Sequence, residues 1–99
     1  MAKKITKESI QKFLDGVPFK KQNMEVTREG SIYYLKLWGN KIAAIQNGQL
    51  WISNAGWFSK TTKERLNALP NVNIVQQKGN WYLNGNFWQG EPVLVTTLF

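Results

Sequence analysis

The dipeptide Asn47-Gly48 constrains this chain more than any other feature. A two-residue hairpin turn that matches strand twist needs positive φ at both central residues, and Asn-Gly adopts it at low cost. The flanking residues 41–46 and 49–53 are similar in length and rich in apolar side chains, so the turn predicts a hairpin with Ile45 and Leu50 in its paired strands. Gly39-Asn40 predicts a second two-residue turn, which brings in residues 31–38 as a third strand. Residues 24–28 add a fourth through the turn at Glu29-Gly30. Downstream, residues 71–77, 81–83 and 92–97 read as strands broken by Gly79-Asn80, by Asn84-Gly85-Asn86 and by Gly90. The expectation is a mainly antiparallel sheet of five to seven strands.

Two short helices complete the pattern. Thr6 stands where an N-cap would, with Ile5 and Ile10 at staple spacing. Ile10, Phe13 and Leu14 then recur at helical intervals until Gly16, which predicts a helix over residues 7–15 with Phe19 anchoring the connection beyond it. Thr61 and Glu64 stand at capping-box spacing and Pro70 supplies a stop, which predicts a second helix with Thr62, Leu66 and Leu69 toward the sheet and Lys63, Arg65 and Asn67 toward solvent. A chain of 99 residues, 42% hydrophobic, fills one core and not two. With no repeat or linker, residues 1–99 read as a single α+β domain.

The same residues narrow the chemistry. There is no Cys and no His, which removes disulfides, thiol nucleophiles, imidazole bases and the usual zinc, copper and haem ligands. The six carboxylates, Glu8, Asp15, Glu25, Glu29, Glu64 and Glu91, are scattered, and the glycines are accounted for by turns, with no phosphate-cradling loop. The expectation is a protein that is not an enzyme and that holds neither a metal nor a cofactor. Thirteen Lys and Arg give a net charge of +7, with six lysines against two carboxylates in residues 1–21, which suits an anionic partner. No apolar run reaches ten residues, so neither a membrane span nor a signal peptide is expected, and the setting is cytoplasmic.

Five Trp, five Phe and three Tyr carry the remaining information. Alternation over residues 32–38 places Tyr33, Leu35 and Leu37 on one face and Tyr34, Lys36 and Trp38 on the other. Continued across the strands, the less apolar face shows Tyr34, Lys36, Trp38, Trp51, Lys78 and Tyr82. Such a face can stack bases while its lysines hold phosphates; the competing reading is cross-strand aromatic pairing beneath a covering helix. Trp57-Phe58 in the loop 54–59 reads either as a plug under the second helix or as a binding loop beside Lys60, Lys63 and Arg65.

Residues 51–57, the run Thr61-Thr62-Lys63-Glu64-Arg65-Leu66-Asn67-Ala68-Leu69 and the segment Gln76-Gln77-Lys78-Gly79-Asn80-Trp81-Tyr82-Leu83 together resemble a group of small phage-encoded proteins, over about residues 40–90 and excluding the N-terminal helix. The resemblance implies a phage origin and action on a host target. It brings no active site, and it marks Thr62, Arg65 and Asn67 only as motif positions. The expected function is a non-enzymatic modulator or inhibitor of a host protein or protein complex, acting in the host cytoplasm, with direct DNA or RNA binding as the alternative and capture of a small anionic nucleotide as a third reading. The expected contact residues are Trp57, Lys60, Thr62, Lys63, Arg65 and Asn67. Neutralising Lys60, Lys63 and Arg65 is expected to weaken binding without loss of stability, whereas Lys3 and Lys4 are expected to form a flexible tail that matters less.

Overall fold

Asn47 and Gly48 take φ of 53° and 73° in the computed structural model, which describes residues 3–98, and they close a hairpin in which Gln46 faces Gln49 and Ile45 faces Leu50. The same device recurs one residue earlier than expected at two other places. The turns are Trp38-Gly39 (50° and 79°) and Lys78-Gly79 (52° and 82°), while Asn40 and Asn80 already pair with Leu37 and Gln77. Asn84-Gly85 (50° and 88°) follows the same form. The reason is steric. The left-handed region open to residues with a Cβ is narrow, with φ of about +50 to +70°, so the first turn position admits Trp or Lys while the wider φ of the second is left to glycine.

These turns join β2 (Met24–Glu29), β3 (Ile32–Leu37), β4 (Asn40–Gln46) and β5 (Gln49–Ile52) into the antiparallel meander expected. A short β1 (Phe19–Lys21), not foreseen, pairs with β2 and carries Phe19 against the core. The chain then leaves the sheet through a helix and a separate three-stranded sheet of β6 (Ile74–Gln77), β7 (Asn80–Leu83) and the two-residue β8 (Asn86–Phe87). It returns as β9 (Val93–Thr97) to pair with β5. The larger sheet therefore has six strands in the order β1-β2-β3-β4-β5-β9, and the fold is α+β with antiparallel sheets and two helices. The strands foreseen at 71–77 and 81–83 belong to the smaller sheet and not to the larger.

Helix α1 (Lys4–Asp15) packs across β1, β2 and β3, and helix α2 (Lys60–Leu66) lies beside β4. Ile10 and Phe13 of α1, Leu35, Leu37 and Leu50 of the larger sheet, Leu66 of α2 and Trp81 of the smaller sheet form one buried cluster. Gly16 ends α1 in a left-handed conformation, its N–H reaching the Lys12 and Phe13 carbonyls. Both expected N-caps are displaced. Lys3 precedes α1 with no side-chain cap, and Thr6 sits inside the helix, fully buried. Ser59 caps α2, its Oγ accepting the Thr62 N–H at 3.0 Å, so Thr61 caps nothing and Glu64 is free for another task.

Candidate functional site

Glu64 and Arg65 fasten the two helices together. The Thr6 hydroxyl donates to the Glu64 carboxylate at 2.8 Å and accepts from Arg65 Nη1 at 2.8 Å, Arg65 also pairs directly with Glu64, and Arg65 Nη2 reaches Asn23 Oδ1 at 3.2 Å. The Lys3 backbone N–H adds a bond to Glu64 at 3.2 Å. Partial burial alone would raise the Glu64 pKa. The Thr6 hydroxyl, the Lys3 N–H and the Arg65 guanidinium together outweigh that effect and hold it below the ordinary value. Arg65 is only 3% exposed, against the expectation that it faces solvent, because α2 turns it inward to this carboxylate.

Thr62 is also buried, its Oγ1 in a 2.8 Å hydrogen bond with Ser59. Asn67 is exposed but occupied. Its amide donates to the Ile74 carbonyl at 3.1 Å and accepts the Ile74 N–H at 2.6 Å, which serves the first residue of β6 as a neighbouring strand would. Of the six expected contact residues, Trp57, Lys60 and Lys63 remain with surface to offer, and Lys63 Nζ is 3.2 Å from Gln76 Oε1. Lys3 and Lys4 are no loose tail, since Lys3 is bonded to Glu64 and Lys4 opens α1.

The aromatic residues divide between two places. In the smaller sheet and the loop before α2, Trp81 and Trp88 are buried at a ring-centroid distance of 6.2 Å. Phe58 meets Trp81 edge-on at 5.1 Å, and Phe87 meets Tyr82 at 6.0 Å. Phe58 and Phe87 border one depression of about 360 Å³ floored by Trp81 and Trp88, and like Trp57 each is 55% exposed. Neither ring of the Trp57-Phe58 pair is a core plug. The loop that presents them is braced: Asn54 Oδ1 accepts the Gly56 N–H at 2.8 Å, Ser53 Oγ accepts the Ala55 N–H at 3.0 Å, and the Gly90 carbonyl receives both the Asn54 N–H and the Ser53 hydroxyl. Phe87 was missed in the sequence, although its place just beyond Asn84-Gly85 marks it as a residue at a hairpin end.

The second place is the face of the larger sheet turned away from α1. Tyr34, Ala44, Trp51 and Leu94 stand in register across β3, β4, β5 and β9, and Lys36 shares their face. Trp38 lies instead in a turn, 56% exposed, and Lys78 and Tyr82 belong to the smaller sheet, so the six-residue platform expected from alternation is not one surface. Lys41 Nζ lies 4.0 Å from the Tyr34 ring centroid and 3.3 Å from Glu29. Charge is also uneven: Lys3 and the two helices carry six lysines and Arg65 against Glu8, Asp15 and Glu64.

Among the described residues no three acidic, His or Cys side chains converge as a metal site, and no helix is long and apolar enough to cross a membrane. Together these features define a small two-helix, antiparallel α+β protein whose accessible chemistry is aromatic and basic. The chain belongs to the Kyanoviridae Gp96 protein family, a family of phage proteins whose model matches residues 2–97. The match takes in the N-terminal helix that the sequence resemblance had left out. No curated protein and no solved structure is significantly similar to the chain.

Proposed function

We propose that this phage protein acts without catalysis, by occupying a surface of a host protein or protein complex in the cytoplasm of the infected cell and so modulating or inhibiting it. The observation that carries the reading is the aromatic end formed by Phe58 and Phe87, two half-exposed rings bordering the depression floored by buried Trp81 and Trp88, with half-exposed Trp57 next to Phe58 in the chain and Lys60 and Lys78 in the adjoining segments. Large rings held in place lose little entropy on binding and still have apolar surface to bury, which is how interface hot spots work. The lysines add attraction to an acidic rim and speed encounter more than they add affinity. Direct nucleic-acid binding is the second reading, favoured by the excess of lysines on the helices.

The two readings separate in one experiment. The tagged protein is used to capture its partner from host lysate with and without nuclease, and the captured complex is washed across a salt series. Trp57→Ser with Phe87→Ser is expected to weaken a nuclease-resistant complex by about tenfold or more, equivalent to about 1.4 kcal/mol, with an unchanged melting temperature and a shallow salt dependence. Loss of the complex on nuclease treatment with a steep salt slope refutes protein recognition, and a complex indifferent to both substitutions refutes the aromatic end.

A further inference from the structure

The larger sheet offers a feature that the aromatic end does not use. Tyr34 on β3 and Trp51 on β5 both face Ala44 on the intervening β4, on the side away from α1. Strands two apart in a sheet are separated by roughly 9.5 Å, and a ring stacked between two walls at ordinary carbon contact distances spans about 7–8 Å. With alanine as the floor, the space between the two rings accepts one planar ring and no second once the Lys41 ammonium, 4.0 Å from the Tyr34 ring centroid, turns from that ring to the ligand's anionic group. A depression of about 180 Å³ lies there, and Tyr34, Lys41, Ala44, Trp51, Ser53 and Pro92 are among the residues that line it. That is below the roughly 300–1,000 Å³ of sites that enclose a whole drug-sized ligand, and so suits a single ring system.

We propose that this slot binds one unpaired nucleobase between Tyr34 and Trp51, with the attached phosphate held by Lys41 and Lys36. Both ammonium groups share one carboxylate, Glu29, at 3.3 and 4.0 Å, and that carboxylate is 52% exposed, so an incoming anion can take its place on either lysine. Glu25, in register with Lys36, makes no ion pair among the described residues but evens the count of charges on this face, so the lysines hold the phosphate as charged hydrogen-bond donors and not through a surplus of positive charge. A cation beside an apolar ring slot matches a ligand that carries an anionic group on a planar ring, as a nucleotide does and an aromatic side chain of a protein does not. The nearby Ser53 hydroxyl is already committed to Gly90 and Ala55, so it has no call to read base edges. Recognition runs through the ring faces and the phosphate. It tolerates any base and requires one whose faces are not stacked in a duplex.

The test is a titration of the full chain with fluorescein-labelled oligothymidylate, with the same strand in a duplex, and with thymidine monophosphate. Ala44→Leu fills the slot while keeping both rings, and Trp51→Leu removes one wall; the second variant serves should the first fail to fold. Single-stranded binding is expected to exceed duplex binding and to weaken about tenfold or more in either folded variant, and severalfold in Lys41→Gln, with Trp57→Ser unchanged. Slot-dependent binding of the monophosphate as tight as that of the oligomer assigns a free nucleotide as the ligand, and a requirement for the oligomer assigns a single strand; either supports the site. No binding of any probe, equal affinity for duplex, or indifference to the slot variants overturns it. Because Trp57→Ser tests the aromatic end alone, failure of that reading and failure of this one give different results.

Discussion

Replacing Glu64 with Gln removes one charge from the junction of the helices and leaves its shape. In the native protein the carboxylate faces Arg65, accepts from Thr6 and takes the Lys3 N–H, and only the guanidinium's other contacts, to Thr6 and Asn23, survive unchanged. Arg65 is 3% exposed and its Nε already lacks a partner, so the substitution leaves a buried cation half-satisfied. Breaking a fully buried pair costs about 3–5 kcal/mol, and a hydrogen bond to a charged group contributes about 1.5–3 kcal/mol. Because the Glu64 side chain is 24% exposed, water recovers part of that, and about 2–4 kcal/mol is expected. In urea, followed by tryptophan fluorescence at neutral pH, this is a midpoint lowered by about 1–3 M at the slopes usual for small domains. The pH dependence gives an independent check. A carboxylate whose folded pKa is depressed contributes stability that is complete above its unfolded value, about 4.3, and is lost as pH falls through the lower folded value. The gap between parent and Glu64→Gln should therefore close in acid. Glu8→Gln, which breaks only an exposed pair with Lys21, should cost less than about 1 kcal/mol of stability. If Glu64→Gln unfolds with the parent at neutral pH, or if the gap persists in acid, the junction is not an electrostatic fastening.

Ser59→Ala should cost about 0.5–2 kcal/mol in chemical denaturation while Thr61→Ala stays near the parent, since Ser59 holds the cap. Gly90→Ala should lower the melting temperature severely, because an added Cβ would lie 2.1 Å from Asn54 Cγ at a backbone φ of +89°; Gly30→Ala, with open space around it, should cost only its φ strain of about 1–2 kcal/mol. The Lys60→Gln, Lys63→Gln pair should melt with the parent whereas Arg65→Gln melts lower, which separates surface charge from buried charge in what the sequence presents as one trio. Trp38→Asn should raise stability by about 0.5–1 kcal/mol in urea, since Asn suits the first position of a tight hairpin turn better than a bulky ring does.

How far the fold was legible follows from where its determinants lie along the chain. Asn47-Gly48 is a local instruction, and the meander around it, Gly16 as a helix stop and the inward set Thr62, Leu66 and Leu69 are all local in the same sense. The turns at Gly39 and Gly79 shifted by one residue because the expectation gave Asn a turn position, whereas the wide φ of the second position belongs to glycine and Trp or Lys is tolerated before it. The pairing of β9 with β5 is non-local, and no spacing in the chain announces it. Thr6 looked like a cap because Ser and Thr usually serve that way. Its hydroxyl is claimed instead by a carboxylate 58 residues away.

The candidate surfaces show the same division more sharply, because a charged or aromatic side chain has two stable destinations and its neighbours in sequence do not choose between them. Arg65 between Lys63 and Leu66 reads as solvated until Glu64 and Thr6 give it a buried partner, and the Trp57-Phe58 pair reads equally as plug or binding loop until the packing leaves both rings half-exposed. Alternation put Tyr34, Lys36 and Trp51 on a shared face because pleating is a local rule. It failed for Tyr82 and Lys78 because membership of a sheet is a tertiary fact. What separates a surface ring from a core ring here is the packing around it: Phe58 and Phe87 stay half-exposed beside a tryptophan pair that is already buried, and Trp57 stays half-exposed in the same loop as Phe58, so the core gains little by enclosing them. Those rings are the ones whose loss should leave the fold intact and alter what the protein holds.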